Sequence, residues 1–251
     1  MEVLPVAFLT RTAWSALLAL TLGAAPGVGQ ALSLSGSYLA ARQASFDGDF
    51  AAAARYYGHA LLKDASNPDL LERAVLANVS LGAIDEAAAL AERLAANGHR
   101  SQLAQMALIA RDARHENHAA IRDAIADGRG AGPLADGLLR AWAELGQGDM
   151  SAALVAFDEA GRMQGMGPFA RYHKALALAS VGDFESAETI FAAGENGGMI
   201  RTRRGVMARV EVLSQLDRHD AAIALIEDNF GRALDPALAE MRDALERGAR
   251  M

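Results

Sequence analysis

The sequence contains no cysteine. That excludes disulfides, thiolate metal sites, a cysteine nucleophile and an anchor built on a lipidated N-terminal cysteine. It does not place the protein, because a cysteine-free chain suits any redox compartment. Aromatic residues make up only 6% of the chain, so a core must come mainly from alanine and leucine. Basic charge is in deficit, with 24 Lys and Arg against 31 Asp and Glu, a net charge of −7 and a pI near 5.4. No surplus remains to neutralise phosphates, which argues against nucleic acid as a partner. Lysine occurs only at Lys63 and Lys174; with the alanine richness, this bias points to a GC-rich bacterial genome. After the first thirty or so residues no apolar run approaches the ~20 needed to cross a bilayer.

The first 31 residues differ from the rest. Arg11 precedes the short apolar run Ala13–Leu22, and then come Gly23, Pro26, Gly27 and Gly29. A charged start, an apolar stretch and a small-residue end is the order of a secretory signal peptide. Cleavage is expected after Ala31, with Gly29 and Ala31 at the small-residue positions. The competing readings are an uncleaved anchor or a first repeat helix. Glu2 and Arg11 cancel, so the processed chain keeps its net charge.

From there one pattern recurs. Gly48-Asp49 opens a turn, and Phe50, Ala53, Tyr57, Ala60 and Leu61 follow at helical spacing. The turn returns at Gly82, Gly148, Gly182 and Asp217, with alanine five residues later at Ala53, Ala87, Ala153, Ala187 and Ala222. Glu116 and Ile121 fill these places in a degenerate third unit. A period near 34 marks a helix–turn–helix array. The predicted hairpins pair helices at 37–46 and 50–62, 69–81 and 85–97, 101–114 and 118–126, 134–145 and 150–160, 169–181 and 184–193, and 204–215 and 221–230. Gly128–Pro133 and Gly161–Pro168 read as flexible linkers. Leu238, Met241 and Leu245 form a last apolar stripe over 235–251, either a capping helix or the start of a further repeat.

Gly48-Asp49-Phe50 with Ala53, Tyr57 and Ala60 resembles the tetratricopeptide repeat, as does Gly182-Asp183-Phe184 with Ala187 and Phe191. The resemblance covers about six hairpins over 32–234. It implies an all-α fold, a right-handed α-α superhelix whose concave groove is lined by the first helix of each pair. Carried over by position, that lining is Tyr38, Arg42, Glu72, Met106, Arg114, Trp142, Tyr172, Arg204 and Glu211. Aromatics mixed with both signs of charge suit an extended peptide or a partner's helix. There are departures. The family's leucine-glycine pair in the first helix is replaced by Ala40-Ala41, Ala74-Val75, Arg140-Ala141 and Lys174-Ala175, which puts its close helix approach in question.

Other motifs lead nowhere catalytic. His115 and His118 share a helical spacing, but His118 and His219 fall where Phe50, Ile84, Met150 and Phe184 pack the turn, so no metal is expected. The glycine-rich segment at 128–133 has no preceding strand and no Lys-Ser/Thr to follow, as a phosphate loop requires. No nucleophile elbow is present. The expectation is an exported, periplasmic adaptor for another protein or peptide, with no cofactor, no catalysis and no membrane span once the signal is removed. The competing expectation is an accessory or fragment of a larger cell-envelope enzyme or assembly complex.

Overall fold

In the computed structural model the described residues are 33–194 and 202–251. The expected signal segment therefore lies outside them. Among the described residues every regular element is a helix: α1 (Leu34–Phe46), α2 (Phe50–Leu61), α3 (Pro68–Leu81), α4 (Ile84–Ala96), α5 (Gln102–Arg114), α6 (His118–Ala126), α7 (Pro133–Gly146), α8 (Met150–Arg162), α9 (Gly167–Ser180), α10 (Phe184–Ala193), α11 (Arg203–Gln215), α12 (His219–Phe230) and α13 (Pro236–Glu246). Each hairpin packs on the next, and the whole is an all-α helical repeat superhelix. No described helix is long and apolar enough to cross a membrane.

The turn inside each hairpin has one geometry. The first helix ends on a left-handed residue at Gly48, Gly82, Glu116, Gly148, Gly182 and Asp217, with φ between 56° and 84°. The next amide bonds the carbonyl five residues back, as in Asp49 to Ala44 at 2.9 Å and Asn117 to Asp112 at 2.7 Å. That six-to-one bond satisfies a carbonyl the helix end would leave open. Where aspartate follows glycine it also caps the second helix: Asp49, Asp149 and Asp183 accept from the amides of Ala52, Ala152 and Ser186. Glu116 and Asp217 hold a conformation that costs a side-chain-bearing residue roughly 1 kcal/mol. At Asp217 an ion pair with Arg250 opposes that cost, and the guanidinium holds the carboxyl below its ordinary pKa.

Hairpins close because small residues meet. Ala53, Ala87, Ala153, Ala187 and Ala222 are fully buried, and Ile121 nearly so. Seven residues before each turn, Ala41, Val75, Ile109, Ala141, Ala175 and Val210 are buried against them. The doubted close approach thus survives without the leucine-glycine pair. The approach is close between α7 and α8, where a Cβ built on Gly137 would stand 2.9 Å from that of Ala160.

The basic residues replacing the family's leucine have partners. Arg140, Lys174 and Arg209, each eight residues before its turn, reach Glu159, Asp158 and Glu188 on second helices. Neither expected linker is slack. Asp136 accepts from the amides of Ala131 and Gly132, Gln102 donates to the Ala131 carbonyl, and Ala131 is buried. The second linker shrinks because α8 runs on to Arg162 and buried Met166 accepts from the Ala170 amide to start α9. Beyond α13, left-handed Gly248 and the Ala249-to-Ala244 bond repeat the geometry that ends the first helices.

Candidate ligand groove

The first helices α1, α3, α5, α7, α9 and α11 share one register, and α3 packs on α5, α7 on α9 and α9 on α11. Covered by its hairpin partner and its neighbours, each keeps one stripe free. The free stripes together form the candidate groove.

At the N-terminal end Tyr38 is half-buried and Arg42 is exposed, its guanidinium 5.9 Å from the Tyr38 ring centre. Tyr38, Leu34, Asn67 and Leu70 border a hollow of about 260 Å³. Glu72 is exposed on α3 and accepts a hydrogen bond from the Ser101 hydroxyl. Met106 on α5 leaves half its surface, 50%, in solvent. Arg114 lies 3.8 Å from Asp85, a carboxylate on α4 that also contacts His115 at 2.9 Å. Its charge is engaged at the hairpin's end.

The C-terminal half is more tightly knit. Trp142 is half-buried, and its indole N–H donates to Nδ1 of His173 at 3.2 Å. The indole meets Phe157 edge-on at 5.8 Å and His173 at 6.0 Å. Tyr172 is only 4% exposed, its ring against His173 at 5.4 Å and Phe191 at 6.4 Å. Tyr172 is therefore part of the packing beneath the groove, and Trp142 presents only part of its ring. Arg204 and Glu211 stand two turns apart on α11 and both act on Tyr172. Burial pushes the Tyr172 phenol up, with Arg204 opposing and Glu211 adding to the rise. Desolvation also raises the Glu211 carboxyl, although much of the residue faces solvent.

So the structure joins Tyr38 with Arg42, links Trp142 to Tyr172 through His173, and sets Arg204 and Glu211 near Tyr172, while Glu72, Met106 and Arg114 stand apart. Sequence reasoning missed Leu76 and Phe169, whose side chains are 50% and 42% exposed. The signal was available: Leu76 sits six residues before its turn, as Arg42 and Trp142 do, and Phe169 matches Arg204 at thirteen. Among the described residues no group of three or more His, Cys, Asp and Glu gathers as a metal site would need. His115 contacts Asp85, and the His118 ring lies against Gly146.

His173 makes this region sensitive to pH. Burial lowers its pKa below the ordinary value near 6.5, so the folded chain binds fewer protons than the unfolded chain in that window. Stability is then fully present above the unfolded value and declines as pH falls through it toward the lowered folded value. Protonation of Nδ1 also removes the acceptor for Trp142. In thermal melts at pH 7 and pH 5 the wild-type chain should lose more stability than His173→Gln, whose amide oxygen accepts without titrating. Equal losses would show that His173 does not couple protonation to folding. Because Glu211 is common to both chains, its opposite contribution cancels.

A tetratricopeptide repeat protein from Parabacteroides merdae superposes with a TM-score of 0.61 at 14% identity, covering 93% of this chain and 90% of that one. TTC0263 from Thermus thermophilus, a thermophilic repeat protein of the same kind, gives 0.35 at 17% identity over 86% and 98%. YrrB, described as having an unusual peptide-binding site, gives 0.38 at 15% over 81% and 88%. The first of these shows the fold that the two chains share. No family model matches the sequence, and no curated protein does.

Proposed function

We propose that this chain is an exported, periplasmic adaptor that holds another protein or a peptide against the inner row of first helices and carries no active site. The observation behind this reading is the set of large side chains left in solvent on the free stripes of the first helices, Leu76, Met106 and Phe169, with Arg42 on α1 and Arg204 on α11. Burial of a Leu, Met or Phe side chain is worth about 1.5–3 kcal/mol. A few such anchors are enough to dominate an interface. The order of residues 1–31 supports export.

Both halves are testable. Cross-linking mass spectrometry on the chain in periplasmic extract should place partner contacts on α1, α5 and α11, and the exposed triple variant Arg42→Ala/Met106→Ala/Arg204→Ala should abolish them. Contacts confined to the second helices would overturn the groove. Export predicts a processed chain beginning at Leu32 in the periplasmic fraction; an intact N-terminus in the cytoplasm would overturn it.

A further inference from the structure

We infer that the groove's ligand is a peptide segment with an uncharged, apolar centre, seated across α5, α7 and α9, with a basic flank over α3. This rests on the groove reading and names what the groove selects. The free stripes of the three central helices carry Met106 and Ala110 on α5, Leu138 and Trp142 on α7, and Phe169 and Leu176 on α9. None is charged. The helices are not short of charge, but it is turned away: Arg111, Arg140 and Lys174 are bound to Glu92, Glu159 and Asp158 on second helices. Arg114, at the turn end of α5, is engaged by Asp85 at 3.8 Å. A ligand with a charged centre would lose its water over the rest of this span without a free counter-ion there.

Charge is of one sign over the free stripe of α3 and mixed over that of α11. Asp69 and Glu72 are exposed on α3, while Arg204 and Glu211 are both exposed on α11. A basic flank over α3 gains attraction and an acidic flank there meets repulsion, so charge sets which end of the ligand lies toward α3.

The experiment uses the full chain with Trp14→Phe, which leaves Trp142 as the one tryptophan. Two synthetic peptides are titrated. One has a leucine- and phenylalanine-rich centre with lysines at one flank; the other has the same length and flank with alternating Lys and Glu at its centre. The apolar peptide should shift Trp142 emission to the blue and bind at least about tenfold more tightly. Met106→Asp and Phe169→Asp, both at exposed positions, should each weaken it about tenfold with helicity unchanged. Preferential binding of the charged-centre peptide, with Trp142 responding, would overturn this selectivity and leave the groove reading standing. Apolar binding indifferent to both substitutions would move the ligand elsewhere and overturn the inference. Failure of both peptides to bind would count against the inference and the groove reading together.

Discussion

Arg209→Ala should cost about 3–5 kcal/mol of stability, far more than loss of any exposed ion pair in this chain. Arg209 on α11 grips Glu188 on α10 through Nε at 3.0 Å and a terminal nitrogen at 2.8 Å. The two side chains are only 13% and 10% exposed. Truncating the arginine leaves a carboxylate buried at a junction between hairpins, where water cannot replace the lost donors. The asymmetry is testable. Glu188→Leu with Arg209→Met removes both charges while keeping volume, and should recover most of the loss, because a buried pair roughly balances attraction against desolvation. Arg140→Ala, which breaks the exposed pair with Glu159, should cost at most about 1 kcal/mol. Urea unfolding of these variants supplies the measurement. If Arg209→Ala costs no more than Arg140→Ala, the junction does not depend on its ion pair. Since each repeat leans only on its neighbours, the loss should first release the helices beyond α10, giving a broadened or split transition.

The alanine–glycine register carried the fold because it records geometry directly. A left-handed turn residue and a small residue five places later are demanded by the hairpin, whatever else varies. For that reason Glu116 and Asp217 could be aligned without glycine and do take the left-handed backbone. The groove was less legible because register tells which stripe a residue occupies and not how deeply its neighbours cover it. Tyr38, Glu72, Met106 and Tyr172 hold the same place in their repeats, yet Tyr172 alone is buried, since Phe191 and His173 close over it. Charge pairing was hidden for a related reason. Lys174 and Arg209 reach back to the preceding hairpin, a contact between residues sixteen and twenty-one apart that no helical period reveals. The loop at 128–133 was misjudged because its composition shows freedom, while the bonds from Asp136 and Gln102 that remove it lie outside the segment.

Phe157→Ala should also be costly, at about 3–5 kcal/mol. Phe157 is 1% exposed on α8 and lies among Ala141, Ala153, Ala156 and Ala177, so it fills space between three consecutive helices. Those alanines have no side-chain rotamers with which to fill a void, and the helices already approach closely at Gly137 and Ala160. The cavity should therefore persist, which places the cost toward the upper end of the range. Phe157 also braces Trp142 from beneath, edge to face at 5.8 Å. In a double-mutant cycle with Trp142→Ala the two losses should fall short of additive by about 0.5–1.5 kcal/mol. The groove should register the change as well: with its brace gone, the indole loses one of the contacts that fix its orientation, and peptide affinity should fall although Phe157 itself is shut off from the ligand. A loss under about 1.5 kcal/mol, or strict additivity, would mean that the helices collapse onto the site and that Trp142 is positioned by His173 alone.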